Sequence, residues 1–144
     1  MDQIDQKLLE LLQENARTPL KKLAEQVFLS PPAVAARMER LEQRGIIQGY
    51  RAIVSPKAIG QRIQAFIHLV LAPEQQREFA AFAAEIPQIT ACYHVTGPHS
   101  MLIQASCADM EQLDSLVAKL QRFGSTQTQV VLSTVLSADH GMAL

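Results

Sequence analysis

Three arginines recur in residues 31–44 at a spacing that would place them on one side of an α-helix. At about 100° per residue, Arg37, Arg40 and Arg44 fall within about 60° of one another, together with Ala33. The apolar residues of the segment fall on a different side: Val34, Met38 and Leu41. The major groove of B-DNA accepts an α-helix, and a guanidinium group can bind guanine bidentately or hold a phosphate. This arginine stripe therefore predicts a helix that contacts duplex DNA.

The residues that surround the stripe would add phosphate contacts and a close approach to the bases. Lys21 and Lys22 lie early in the preceding helix, where they can contact phosphates, which position a protein without specifying sequence. Pro32 and Ala33 are small and would let the backbone approach the base edges. We predict a DNA-contacting set of eight residues: Lys21, Lys22, Ser30, Pro32, Ala33, Arg37, Arg40 and Arg44.

Capping signals predict three helices in the first part of the chain. Asp2 can cap the first helix, which runs to about Asn15. The other two helices begin with a capping residue followed by a proline at the first helical position: Thr18-Pro19 and Ser30-Pro31. Gly45 stands where a glycine ends the third helix. Two short helices joined by a tight turn, after a supporting first helix, form a helix-turn-helix.

A β-prone segment follows these helices at residues 46–54, with a glycine in its middle. It predicts a hairpin, which would make the wing of a winged helix. We therefore expect a winged helix-turn-helix DNA-binding domain over residues 1–54 and a linker over residues 55–61.

The alternative for the arginine stripe is an ordinary solvated helix face whose arginines pair with neighbouring glutamates. The charge distribution favours DNA contact over this alternative. Residues 17–57 carry eight basic and three acidic residues, a net charge of +5, whereas residues 61–144 carry a net charge of -3. Such an asymmetry can steer one part of a chain towards a polyanion although the whole chain carries only -1.

Residues 62–137 predict a second domain with the element order β-α-β-β-α-β. The predicted strands cover residues 62–71, 89–96, 100–106 and 126–137. The helices cover residues 74–84 and a segment that Asp109 caps and Phe123-Gly124 ends. This order is that of a ferredoxin-like fold, an antiparallel sheet with two helices on one face. The fold class is α+β, an N-terminal winged helix-turn-helix plus a C-terminal ferredoxin-like domain, and residues 138–144 form a tail.

The last predicted strand is the longest and is apolar on both of its faces. Val131 alternates with Val130 and Leu132, and Val135 and Leu136 repeat the pattern. A strand that is apolar on both sides is expected to be buried on both sides, which predicts self-association through the sheet. Dimerisation also suits a helix-turn-helix protein, because two recognition helices can read two half-sites.

Composition excludes several other classes of protein. No run of about 18 apolar residues exists, so we expect no membrane span, and the polar N-terminus does not resemble a secretory signal. Two cysteines fit a reduced cytoplasmic location. Cys92, His94, His99 and Cys107 match no common zinc spacing, so we predict no metal. No oxyanion hole or orienting acid is recognisable for a Cys-His pair, and no glycine-rich phosphate loop exists, so we predict no cofactor and no enzymatic activity.

The sequence resembles the Lrp/AsnC family of bacterial and archaeal transcription regulators, from Asp2 to Ser137. The resemblance rests on an ordered set of N-terminal motifs and a weaker C-terminal set. The N-terminal motifs are Asp5-x-x-Leu8-Leu9, Asn15-Ala16-Arg17, Leu23-Ala24, Leu29-Ser30 and Val34-x-x-Arg37-Met38-x-x-Leu41-Glu42-x-x-Gly45-Ile46-Ile47-x-Gly49-Tyr50. The C-terminal ones are Val95-Thr96-Gly97 and Val130-Val131-Leu132-Ser133-Thr134.

This resemblance implies a regulator that pairs through its C-terminal domain and assembles further, often into octamers. It also implies a role in amino-acid metabolism and a free amino acid as effector, bound near the turn after the second strand. The effector residues would be Gly97, Pro98, His99 and Ser100. The family pattern has an aspartate where this chain has Ser100, so a ligand ammonium would lack its charge partner. We expect weak or absent amino-acid binding of that kind, or a ligand held by His99 and backbone groups.

The competing class is a metabolite-binding interaction protein whose helical domain binds another protein. The arginine stripe argues against it. Binding to a DNA duplex that weakens steeply with salt would separate the two classes.

Overall fold

The computed structural model describes residues 1–137, so the predicted tail at 138–144 lies outside the described residues. The chain divides into two compact units: residues 1–53 with 136–137, here called the helical unit, and Val54–Val135, here called the sheet unit. The predicted linker at residues 55–61 follows this division and contains a short 3-10 turn at Lys57–Ile59.

The helical unit contains the three predicted helices, α1 at Gln3–Glu14, α2 at Leu20–Val27 and α3 at Pro31–Gln43. Asp2 and Asp5 form a capping box at the start of α1, in which each side chain accepts a hydrogen bond from the backbone N–H of the other. Leucine, valine and alanine side chains from all three helices form one core: Leu8, Leu12, Leu23, Ala24, Val27 and Val34. The helix-turn-helix prediction is confirmed.

The predicted cap of α2 is wrong. Pro19, not Thr18, occupies the N-cap position, and no side chain caps this helix. The hydroxyl of Thr18 donates to the carbonyl oxygen of Asn15 at 2.7 Å, so it satisfies the end of α1 instead of the start of α2.

The predicted wing is also wrong, because residues 46–54 contain no strand. The N–H groups of Ile46 and Ile47 donate to the carbonyl oxygen of Leu41 at 2.9 and 3.1 Å, which uses them to close the end of α3. The phenol of Tyr50 then donates to Glu42 at 2.8 Å. An isolated two-stranded hairpin is marginal in water, and here hydrogen bonds back to α3 hold the segment instead.

The sheet unit has the predicted order of elements. Its strands are β1 at Ile63–Leu69, β2 at Ile89–His94, β3 at Met101–Cys107 and β4 at Thr126–Val130. Its helices are α4 at Gln76–Ala84 and α5 at Met110–Leu120, the latter capped by Asp109 as predicted. The four strands form one antiparallel sheet in the order β2-β3-β1-β4. The ferredoxin-like prediction is confirmed.

The core of the sheet unit lies between one sheet face and the two helices. Alternate residues of β1 and β3 face it, with Ile67 paired to Ile103. Gly124 follows α5 where the chain passes the end of β1, and a Cβ at this position would lie 1.8 Å from the carbonyl oxygen of Val70. This close approach requires glycine.

The last strand is shorter than predicted, since β4 ends at Val130 rather than at residue 137. Val130 pairs with Ala65, and the N–H of Val131 donates to the backbone carbonyl oxygen of Gln64 at 2.8 Å. Ile63 and Gln64 of β1 lie beyond the last paired residue, so β4 ends although two residues of its partner strand remain. Beyond this point the side chains of Leu132 and Val135 are 96% and 98% exposed.

Candidate nucleic-acid interface

The candidate interface is the outward face of α3, the second helix of the helix-turn-helix. Val34 and Leu41 are buried on the opposite face, as the periodicity predicts. The Ser30 hydroxyl accepts a long hydrogen bond, 3.4 Å, from the N–H of Ala33. Pro31 and Pro32 have no backbone N–H, so the start of α3 offers few donors to an anion.

The structure separates Arg37 from the other two arginines of the predicted stripe. One nitrogen of its guanidinium, Nη1, lies 2.6 Å from Asp2 Oδ2 and 2.8 Å from Asp5 Oδ1. The side chain is only 20% exposed. We call this group of Asp2, Asp5 and Arg37 the N-terminal clamp. The Arg37 guanidinium is therefore directed at the start of α1, and its predicted contact with DNA stays a prediction.

The clamp shifts the pKa of Asp2 and that of Arg37 in the directions that an ion pair requires. The backbone N–H of Asp5 and then the Arg37 guanidinium hold the pKa of the Asp2 carboxyl below its usual value. Hydrogen bonds to Asp2 and Asp5 raise the pKa of Arg37.

Arg40 and Arg44 are exposed, and within the described residues neither side chain forms an ion pair. Lys21 and Lys22 are exposed on α2. These four cations are free to meet phosphates or base edges. The alternative of glutamate-paired arginines finds no support in the described residues.

The N-terminal half of the outward face is apolar. Pro32 and Ala36 are exposed and Ala33 is half-buried, and none of these side chains can donate or accept a hydrogen bond. The outward face of α3 thus changes along its length, from small apolar residues to the basic residues Arg40 and Arg44.

Phe28 is a residue that the sequence reasoning passed over as part of a tight connection. It ends α2 in the left-handed conformation, with φ 56°, and its side chain is 93% exposed. A bulky residue at positive φ is strained, and no packing in the unit uses the ring. The sequence does show that a phenylalanine stands at the turn of the helix-turn-helix, where glycine would adopt this conformation without strain.

In the sheet unit, the predicted effector turn lies between β2 and β3. Gly97 adopts φ 109°, and the N–H of Val95 donates to the carbonyl oxygen of Ser100 at 2.8 Å. The Ser100 hydroxyl accepts from the N–H of Leu71 at 2.9 Å and donates to the carbonyl oxygen of the same residue at 3.2 Å. The His99 ring lies 5.3 Å from the ring of His68. The Ser100 hydroxyl therefore uses its donor and one acceptor position on the backbone of Leu71, two residues after β1.

A cavity of about 450 Å³ lies between α4 and β2, and the sequence did not indicate it. Its walls are mainly alanine and larger apolar side chains, with Cys92 and His94 on one side. Burial raises the pKa of the Cys92 thiol. None of the four predicted effector residues lines this cavity.

Two further features concern the described part of the chain only. Residues 1–137 contain no group of three His, Cys, Asp or Glu side chains arranged to hold a metal ion. Among the same residues, no helix has the length and apolar character needed to cross a membrane.

Both halves of the chain match known sequence families. Residues 1–42 match the AsnC-type helix-turn-helix domain, and residues 64–139 match the Lrp/AsnC ligand binding domain. The chain is 35% identical over 137 residues to the regulatory protein AsnC of Escherichia coli K12, which covers 92% of this chain and 90% of that protein. It is 32% identical over 140 residues to the transcriptional regulator LrpA of Mycobacterium tuberculosis, which covers 95% and 93%.

Solved structures match the chain over most of its length. A transcriptional regulator of Neisseria meningitidis, solved as a complex with L-Met, superposes with a TM-score of 0.89 at 33% identity, covering 95% of this chain and 93% of that one. The structure of Escherichia coli AsnC gives a TM-score of 0.87 at 31% identity, covering 95% of each chain.

Proposed function

Since the chain belongs to the Lrp/AsnC family of DNA-binding transcriptional regulators, we propose that it binds duplex DNA through the outward face of α3 and the start of α2. Arg40 and Arg44 would contact phosphates or guanine edges, and Lys21 and Lys22 would contact phosphates. The observation that carries this proposal is that Arg40 and Arg44 are exposed and, within the described residues, form no ion pair.

A salt titration of binding to a mixed-sequence DNA duplex tests the proposal. Each lost phosphate contact is expected to reduce the slope of log K against log salt by about 1, so Arg40→Ala and Arg44→Ala should each flatten it. Arg77→Ala is the matched control, because Arg77 is exposed on α4 of the sheet unit. Binding that is indifferent to salt and to both α3 substitutions would favour a protein partner for the helical unit.

The apolar half of the α3 face would contact thymine methyl groups. In a helix-turn-helix the N-terminal residues of the second helix reach the base edges, and the thymine methyl is the apolar group exposed in the major groove. Pro32, Ala33 and Ala36 can make apolar contacts there but no side-chain hydrogen bonds. Replacing thymine by uracil in a selected duplex removes the methyl alone, and we expect about threefold to fourfold weaker binding per contacted methyl. Equal affinity for both duplexes would contradict methyl contact.

We also propose assembly into a homodimer and then into a higher oligomer, such as an octamer. Leu132 and Val135 follow the edge strand β4 and are almost fully exposed, and a second copy of the chain would cover them. The test is the molar mass in solution of the full chain and of Leu132→Ser. We expect a multiple of the 15.9 kDa chain mass, and a lower multiple for the variant. A monomeric unmodified chain would contradict assembly.

An amino-acid effector is the remaining part of the proposal. One relative was solved with L-Met, but here the Ser100 hydroxyl is occupied by the backbone of Leu71 and carries no charge for a ligand ammonium. We therefore expect weak or absent amino-acid binding at Gly97–Ser100. Thermal unfolding with each of the twenty amino acids tests this, and a clear upward shift with one of them, methionine first, would contradict it.

A further inference from the structure

We infer that Arg37 is a positioning residue for DNA binding, which acts by fastening the recognition helix α3 to the start of α1 and makes no contact with DNA itself. The inference rests on the proposed DNA binding through α3. It implies that residues 1–5 are needed for full DNA binding, although they lie far from α3 in sequence.

The geometry of the clamp supports a fastening role. Asp2 uses Oδ1 to accept from the N–H of Asp5 at 2.8 Å and Oδ2 to accept from Arg37 at 2.6 Å. Asp5 uses Oδ2 to accept from the N–H of Asp2 at 3.2 Å and Oδ1 to accept from Arg37 at 2.8 Å. All four carboxylate oxygens are thus engaged, and a single guanidinium nitrogen lies between the two side chains. The two N–H bonds of Nη1 are used by the carboxylates, which directs the guanidinium at the start of α1 and leaves the donors of Nη2 and Nε.

The clamp also adds a link between α1 and α3 outside the apolar core. In the helical unit α2 packs against both α1 and α3, and Leu8 and Val34 contribute to the shared core. The clamp joins the N-terminal end of α1 to the middle of α3 by charge-assisted hydrogen bonds, which are directional, unlike apolar contacts. Arg37 therefore restrains the orientation in which Arg40 and Arg44 are presented.

Positioning and contact predict opposite signs for the loss of Asp5. If Arg37 contacts DNA, neutralising Asp5 frees the guanidinium and removes a negative charge near a polyanion, so binding becomes tighter. If Arg37 positions α3, neutralising Asp5 loosens the helix, so binding becomes weaker despite the more favourable charge.

The experiment measures duplex affinity over a salt series for the full-length chain and for three variants: Arg37→Ala, Asp5→Asn and the double variant. Arg44→Ala provides a matched arginine at the C-cap of the same helix. Circular dichroism at the assay temperature identifies the variants that are folded. Should Arg37→Ala fail to fold, the Asp5→Asn variant decides, because it keeps the size of the side chain.

We expect Arg37→Ala and Asp5→Asn each to weaken binding roughly fivefold with the salt slope unchanged, and the double variant to be no weaker than either one. Arg44→Ala should reduce the slope. A reduced slope for Arg37→Ala, tighter binding by Asp5→Asn, or no change in either variant would overturn the inference. These results leave the proposed DNA binding intact, whereas a flat salt dependence of the unmodified chain would overturn both.

Discussion

The two units of the chain are stabilised in different ways. The main core of the sheet unit contains eleven buried residues between a four-stranded sheet and two helices, whereas that of the helical unit contains six. Side-chain hydrogen bonds occur in both units, and the helical unit has in addition the two ion pairs of the N-terminal clamp. A small domain buries a smaller share of its surface, so such connections matter more to its stability.

The two regions of the chain carry net charges of opposite sign, which agrees with the proposal that the first region binds DNA. Residues 17–57 carry a net charge of +5 and residues 61–144 carry -3. The arginines that give the helical region its charge divide again, because Arg37 is used internally while Arg40 and Arg44 face solvent. Residue type alone therefore does not separate a DNA contact from a structural ion pair.

The largest effect is expected in the sheet unit, from Gly124→Ala. Because the new Cβ would lie 1.8 Å from the Val70 carbonyl oxygen, the backbone must move, and we expect a loss of about 4 kcal/mol or more in the free energy of unfolding. Chemical denaturation measures this, with the exposed neighbour Ser125→Ala as the control. A stability equal to that of the control would mean that Gly124 is not closely packed.

Leu8→Ala in the helical unit is also expected to lower the free energy of unfolding, but by less than Gly124→Ala. Leu8 is fully buried, and truncation should lower the free energy of unfolding by about 3 kcal/mol. Leu20→Ala, at a partly exposed position of the same unit, should cost less than about 1 kcal/mol. Unfolding of the two units is followed by spectroscopy. If Leu8→Ala destabilised both units equally, the conclusion that each unit has its own core would be contradicted.

The N-caps of α3 and α5 allow a second comparison of the two units, in which smaller losses of stability are expected. Ser30→Ala and Asp109→Ala should each lower stability by about 1 kcal/mol. Asp109 should have the larger effect, because its bond to the N–H of Gln112 is 2.8 Å long, against 3.4 Å for Ser30. Thr18→Ala is the comparison, because Thr18 does not cap the start of α2 and its hydroxyl donates to the carbonyl oxygen of Asn15 at the end of α1. Thermal unfolding of all three variants tests the order, and a larger loss for Thr18→Ala would reverse the assignment of the caps.

The smallest effect is the acid response of the clamp. The Asp5 backbone N–H and the Arg37 guanidinium hold the pKa of the Asp2 carboxyl below its usual value in the folded chain, so the charged form is favoured there. The resulting stability is present above the usual pKa of the carboxyl and is lost as the pH falls through the lowered value. Asp2→Asn should remove this part of the pH dependence, and salt should weaken it because the pair is at the surface. Unchanged acid unfolding of Asp2→Asn would exclude the contribution.

Local sequence signals predicted most of the fold. The caps at Asp2, Ser30 and Asp109 fixed three helix starts, because a side-chain acceptor there satisfies backbone N–H groups within three residues. Alternation over Ala65, Ile67 and Leu69 predicted the buried face of β1.

The features that were not predictable depend on partners distant in sequence. β4 ends at Val130 although its apolar pattern continues to Leu136. The segment after α3 is held by Leu41 and Glu42 instead of by a second strand. Arg37 has the helical phase of Arg40 and Arg44, but its acidic partners lie 35 and 32 residues away. Periodicity gives the direction of a side chain and not the identity of its partner.

Hydrogen–deuterium exchange of the full chain, with and without a DNA duplex, tests the central claim most directly. Binding through α3 predicts slower exchange of backbone amides at the start of α2 and along α3, with β1, β3 and α5 unchanged. Slower exchange confined to the sheet unit, with α2 and α3 unaffected, would contradict it.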